Sequence, residues 1–359
     1  MRFGMQFFPD VRPAQKPADR YFAEALDLVG LIDRYGYSHV RIVEHYFHHW
    51  GGYTPNPIVF LSAASQRTKT ARMVTGAVLP VFNNPLKLAG EIGMLDAISG
   101  GRLDVGFARA FLPHEFRAFG VSMDESVLRF EEGIEQVRRL LEETNVTCKG
   151  RFHSFENVTS LPRPTQTPRP RFYVAAVATP ESFARAGRMG HWVMAIPGVG
   201  ANPSELVGIY RENWRSAGHK GDPRIMLAVF IYCHEDRAEA HRIARGPIER
   251  HFESICDAVR EFGTGGAISA AYKGYDKLYE KMRKETFESQ IANHAAFIGT
   301  PKDIIEQFRE FDRIMGGCDE ASCQVNFNDM AYADAERSVR LFGEKVIPHF
   351  ADKRMVTAA

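Results

Sequence analysis

The 359-residue sequence is short of cysteine. Its five, Cys148, Cys233, Cys256, Cys318 and Cys323, are odd in number and share no CxxC spacing. Such a set specifies neither a disulfide framework nor a zinc ribbon, and a reducing compartment, the cytoplasm, is the expectation. Long apolar runs are also missing. Stretches such as Pro57 to Ala64 and Phe172 to Ala178 fall far below the roughly 20 residues of a membrane helix. The start, Met1 to Phe8, has no basic leader and no small-residue cleavage site, so no export signal is read. Charge of one sign is not in excess either: 45 Lys and Arg against 44 Asp and Glu leave a net +1. That balance argues against a nucleic-acid or anionic-membrane footprint and points to a small ligand. No Gly-rich dinucleotide fingerprint follows the first strand, where Phe8-Pro9-Asp10 stands instead.

What is present is alternation. Strand-like runs at Arg2 to Phe8, around Val40 and Ile42, Met73 to Leu79, Leu103 to Ala108, Phe172 to Val177, His191 to Ile196, Ile225 to Tyr232 and Ser322 to Phe327 are separated by helical patterns. Several helices open with a cap followed by proline, as at Asn84-Pro85, Thr179-Pro180 and Thr300-Pro301. Eight strand and helix pairs predict a single α/β domain over 1–359, a (β/α)8 TIM barrel with insertions. A Pro-rich excursion at about 145–170 reads as an ordered insertion. The stretch 263–296, containing Gly265-Gly266, Lys273-Gly274-Tyr275 and the basic run Lys281 to Lys284, lacks a sustained period and reads as a mobile lid.

In a parallel barrel the chemistry belongs at the carboxyl ends of the strands. The second strand runs into Glu44-His45-Tyr46-Phe47, followed by His48, His49 and Trp50. His45 is the leading proton acceptor there, because an imidazole titrates near working pH; the alternative is a histidine serving structure alone. A metal site at His45, His48 and His49 lacks a carboxylate or thiolate at a fitting spacing, so no metal is expected. The fourth strand ends in Ala108-Arg109-Ala110-Phe111. The Arg109 guanidinium suits a phosphate, or equally a structural carboxylate. Thr179, Pro180 and Ser182 describe a helix start whose amides suit an anion, although capping alone explains them and Glu181 would repel a phosphate placed too close.

At these residues the chain resembles the bacterial luciferase-like flavin monooxygenases. The resemblance is carried by Val43-Glu44-His45-Tyr46-Phe47, Pro55-Asn56-Pro57, Gly76-Ala77-Val78-Leu79-Pro80, Asn84-Pro85 through Leu95-Asp96, Ser99-Gly100-Gly101-Arg102, Phe119-Gly120, Gly299-Thr300-Pro301, Leu341-Phe342 and Val346-Ile347-Pro348, in that order and spacing. The loop Tyr272-Lys273-Gly274-Tyr275-Asp276 is similar to the mobile loop of the luciferase α subunit. The resemblance implies a barrel that uses reduced FMN, delivered by a separate NAD(P)H-dependent flavin reductase, and O2, through a C4a-peroxyflavin. It further implies a cytoplasmic homodimer acting on an apolar or aromatic small molecule.

By position, His45 matches the base near the flavin, Arg109 the phosphate-binding arginine, and Thr75-Gly76 a non-proline cis peptide beneath the ring. The luciferases' reactive cysteine falls at Ala108 and their phosphate serine at Ala178, leaving Thr179 and Ser182 as substitutes. A second phosphate arginine falls at Val127, with Arg129 as its replacement. Phe8, Phe47, Phe111, Trp192 and Phe252 are the expected pocket walls. Two other readings stand beside this one: a deazaflavin (F420)-dependent oxidoreductase on the same barrel, and a non-catalytic partner like the luciferase β subunit.

Overall fold

In the computed structural model, which describes residues 1–176, 179–197, 202–264 and 269–350, the strands are β1 (Arg2–Phe7), β2 (His39–Ile42), β3 (Arg72–Thr75), β4 (Leu103–Phe107), β5 (Val146–Lys149), β6 (Ser154–Val158), β7 (Arg171–Ala175), β8 (Trp192–Ala195), β9 (Ile225–Cys233), β10 (Ala296–Gly299) and β11 (Glu320–Gln324). Eight of them form a closed parallel ring. Its order is β1-β2-β3-β4-β7-β8-β9-β11, with β11 returning to β1 and β8 joined to β9 through Val193–Ile225, Met194–Met226 and Ala195–Leu227. The (β/α)8 barrel expected from the alternation is what the chain forms.

Two elements were not legible in the pattern. β10 is a ninth strand on the sheet: Phe230 pairs with Ala296 on one edge of β9 and with Gln324 on the other, so β10 takes the edge of β9 that β8 leaves. It starts at Ala296, the last residue of the stretch read as a lid, and that stretch carries the helices Tyr275–Met282 and Phe287–Ala292. The insertion is ordered, and it contains the antiparallel hairpin β5–β6. Arg163 pins this insertion to the barrel, donating from Nη1 to the carbonyls of Leu140 (2.7 Å) and Glu143 (2.9 Å) at the end of the helix Ser126–Glu142. Val177, Ala178 and the pair Gly265-Gly266 lie outside the described residues.

Parallel strands covered on both faces alternate between two interiors. On β1, Phe3, Met5 and Phe7 are buried toward the helices and join the main core. The opposite set faces the barrel axis. At the amino end of the strands this set is ionic: Arg2 pairs with Glu320, and Asp104 takes both Arg72 and Arg171. A small apolar plug of Val74, Tyr173, Met194 and Met226 comes next. Above it lies a polar layer set by register, since Gln6 is paired to both Arg41 and Gln324. Gly76 lies directly over Arg41: a Cβ there would stand 2.1 Å from Arg41 Nε. Only glycine leaves room for that guanidinium, which forms part of the floor of the mouth.

Candidate active site

The chain after β2 presents His45 at the mouth, and the fold fixes the ring from three sides. Nδ1 lies 3.2 Å from Glu115 Oε1, and the same oxygen accepts the Tyr46 main-chain N–H at 2.8 Å. Glu115 is fully buried in the first turn of the helix Pro113–Phe119, where the helix dipole favours a carboxylate. An ionised carboxylate only accepts, so His45 donates from Nδ1 and its lone pair sits on Nε2. Trp50 at 4.6 Å and Phe8 at 5.8 Å pack the ring. Gly51 closes the third side. Its φ is +81°, and an added Cβ would lie 2.7 Å from His45 Cδ2.

Glu44 points the other way, accepting from the Tyr46 hydroxyl (2.5 Å), Asn83 (2.9 Å) and the Leu79 N–H (3.2 Å). Burial outweighs these donors and lifts its carboxyl from the usual 4.5 to about 7. A folded value above the unfolded one means that the native state holds the proton more tightly. The stability this contributes is present below about pH 4.5 and is lost as pH rises through about 7. Glu44→Gln removes that slope. Melting curves of the variant should change less between pH 5 and pH 8 than those of the parent; parallel pH profiles would show that Glu44 is ionised throughout.

Arg109 follows β4. It makes no ion pair among the described residues. Its Nη2 donates to the Ala271 carbonyl (3.2 Å), and its guanidinium lies over the Tyr272 ring at 4.4 Å. The Tyr272 hydroxyl reaches back to the Ala110 carbonyl at 2.7 Å. The segment after Ser269 therefore lies against the mouth. His45 and Arg109 are joined by rings: Phe111 is 6.2 Å from His45 and 6.3 Å from Tyr275. The Phe111 and Tyr275 rings stand between the two.

The remaining expected residues divide. Phe8, Phe111 and Phe252 belong to the mouth, Phe252 through His251 at 5.6 Å and Phe230 at 6.4 Å. Trp192 does not. It opens β8 at the amino end of the barrel, between the guanidinium groups of Arg171 and Arg224, because barrel-facing residues at strand starts point to the floor. Phe47 is 65% exposed, turned out by a φ of +61° onto Tyr46 and Phe119. Arg129 is occupied by Glu125 at 2.9 Å and by the Phe152 ring of the insertion.

Thr179 caps the helix Pro180–Arg188, its hydroxyl 2.7 Å from Ser182 Oγ. Ala108 continues the chain from β4, its N–H on the Val78 carbonyl. Thr75 is fully buried, exchanging bonds with Gly106. The cis peptide is Gly76–Ala77, one residue beyond the expected position. The Gly76 N–H is still in the ladder on Ile42 O (2.8 Å), so the chain leaves strand geometry only after it, where Arg41 Nη2 takes the Gly76 carbonyl at 2.9 Å.

Two features escaped the sequence. A carboxylate does reach the histidine cluster: Asp257, 209 residues away, lies 3.2 Å from His48 Nε2. His48 Nδ1 accepts the Trp50 N–H (3.1 Å), so Nε2 carries the proton given to Asp257 and neither nitrogen has a spare lone pair. The second is a buried hydrogen-bonded pair between His251 and Asp10. Its one sequence signal was a carboxylate immediately past the first strand.

The family model described as luciferase-like monooxygenase matches residues 1–316, and the chain belongs to that family of flavin enzymes. The chain is 27% identical, over 99% of its length and 97% of the relative's, to the oxygenase component of a flavin-dependent trigonelline monooxygenase of Acinetobacter baylyi. Among solved structures it is 42% identical to the monooxygenase RslO1 of Streptomyces bottropensis, covering 98% of this chain and 100% of that one with a TM-score of 0.86. The oxygenating constituent of a 3,6-diketocamphane monooxygenase of Pseudomonas putida, solved with FMN, shares the fold at 21% identity and a TM-score of 0.80, covering 97% and 98% of the two chains. No helix among the described residues is long and apolar enough to cross a membrane.

The residues present suit a flavin. Arg41 Nε and Gln324 Nε2 are buried donors without partners in the floor of the mouth, and Arg109 is a guanidinium without a carboxylate at its rim. Unspent donors of this kind match an isoalloxazine edge and a phosphate.

Proposed function

We propose that the protein is the oxygenating component of a two-component system, taking reduced FMN from a separate NAD(P)H-dependent flavin reductase and inserting one atom of O2 into an apolar or aromatic small molecule. The observation that carries this is the placing, across one ring-lined mouth, of an unpaired Arg109 guanidinium and a His45 whose free Nε2 is fixed by Glu115. Reduced FMN, when bound, supplies the electrons that activate O2. The protein supplies the rest: Arg109 holds the phosphate, His45 Nε2 accepts or returns a proton, and the rings of Phe8, Phe111 and Phe252 keep water out. The segment from Ser269 to Tyr275 acts as a lid, since it closes over Arg109. The helix start at Thr179 follows β7, the strand paired with β4, and is proposed as a second support for the phosphate.

A homodimer fits two surface helices. Pro57–Ser65 (PIVFLSAAS) and Pro85–Ile98 (PLKLAGEIGMLDAI) are apolar on more than their core face, and Val59, Met94 and Ile98 stand exposed on them.

The test uses the purified chain with reduced FMN or reduced deazaflavin under argon, followed by 18O-labelled O2. The expected result is saturable binding of reduced FMN and, on adding O2, reoxidation of the bound flavin at a rate clearly different from that of free reduced FMN, with this chain alone. Preference for the deazaflavin, or flavin reoxidation indistinguishable from that of free reduced FMN without a second subunit, would overturn the proposal.

A further inference from the structure

Two imidazoles stand at this mouth, each with a carboxylate behind it. His251, on the helix Arg237–Ala258, has Nδ1 2.6 Å from Asp10 Oδ2. Asp10, sealed just past the end of β1, also accepts the Asn328 main-chain N–H at 2.7 Å through Oδ1. An acceptor so committed takes Nδ1–H from His251 and leaves the lone pair on Nε2, the same state that Glu115 imposes on His45. Neither Nε2 has a partner among the described residues, and each ring keeps a sliver of exposure, 8% for His45 and 7% for His251. Both rings pack on the same two side chains. Phe8 is 5.8 Å from His45 and 5.4 Å from His251; Trp50 is 4.6 Å and 6.3 Å away. Phe230 at 5.0 Å completes the wall beside His251. Other titratable groups near this pair include Tyr21 and His49, both within the field of Asp10, and Glu115 behind His45.

A single base serves one proton. A second, oriented in the same way against the same apolar wall, implies a second proton to be moved, and a plain hydrocarbon substrate has none. We propose that His251, oriented by Asp10, is a substrate base and that the molecule oxygenated carries an acidic hydroxyl on an aromatic or enolic carbon. The O–H bond breaks, its proton goes to His251 Nε2, and the electron pair stays on oxygen and delocalises into the ring. The imidazolium is then balanced by Asp10 on one side and by the oxyanion on the other. The electron-rich carbon so formed is what an electrophilic oxygen donor attacks, and the proton returns to product or water on release. This deepens the oxygenase reading and rests on it for the second step; the proton step needs no flavin.

The experiment therefore uses the flavin-free protein and 2-naphthol, whose ionised form absorbs to the red of the neutral one. At pH 7 the parent should bind the probe saturably as naphtholate. His251→Gln and Asp10→Asn should still bind the probe saturably, weakened by up to about tenfold, while the naphtholate fraction falls at least tenfold. A neutral spectrum on the parent, no saturable binding, or an unchanged band in folded His251→Gln would overturn the proposal. If the variants do not fold, imidazole 15N spectra of the parent decide. The expected change is one histidine Nε2 moving from unprotonated to protonated on adding 2-naphthol, and no movement would contradict the assignment. Because O2 and FMN take no part, failure here leaves the oxygenase reading standing, and failure of that reading leaves this result interpretable.

Discussion

Oxygenation by the His45→Ala variant should fall by roughly 10²–10⁴-fold, the usual contribution of a positioned acid or base, while reduced FMN binds within a few-fold of the parent. The expectation follows from the way the ring is held. Glu115 and the Gly51 turn orient it from behind, Glu115 also taking the Tyr46 main-chain N–H. Removing the imidazole therefore removes a proton acceptor, not a flavin contact. Glu115→Gln should give a smaller loss, because the amide no longer forces the proton onto Nδ1, together with a displaced pH–rate profile; Glu115→Asp should restore the profile in part. Product formation under a constant supply of reduced FMN reads all three. Unchanged turnover in His45→Ala would remove this residue from the chemistry.

Arg109→Ala should weaken FMN binding by about 10–100-fold, the range expected from about 1.5–3 kcal/mol for a charge-assisted hydrogen bond. Riboflavin, which lacks the phosphate, should bind the variant and the parent alike. This contrast separates a phosphate ligand from a lid anchor, because Arg109 also holds Ala271 and Tyr272. If the lid contact were its whole role, both flavins would lose affinity together. Fluorescence titration of each flavin gives the answer.

The barrel was legible because it follows from a local rule. Strand and helix alternation specifies a parallel closed sheet, and His45 and Arg109 were singled out by their places after strands of that sheet. Their partners were not legible. Glu115 meets His45 across 70 positions, Tyr272 meets Ala110 across 162 and Asp10 meets His251 across 241; such contacts are products of ring closure that no window of sequence contains. The same blindness left Asp257 out of the histidine cluster. Trp192 failed for a different reason: it was placed by residue type, whereas its position at the start of β8 puts it at the opposite end of the barrel. β10 was missed because four residues of strand, between the end of an aperiodic stretch and the helix start at Thr300-Pro301, carry too few alternations to register.

A crystal of this protein soaked with FMN tests the central claim most directly. The account predicts the phosphate within hydrogen-bonding distance of the Arg109 guanidinium, the isoalloxazine over Gly76 and Ala77, and His45 Nε2 facing the same space. Flavin bound away from the carboxyl ends of the strands, or with its phosphate out of reach of Arg109, would contradict it.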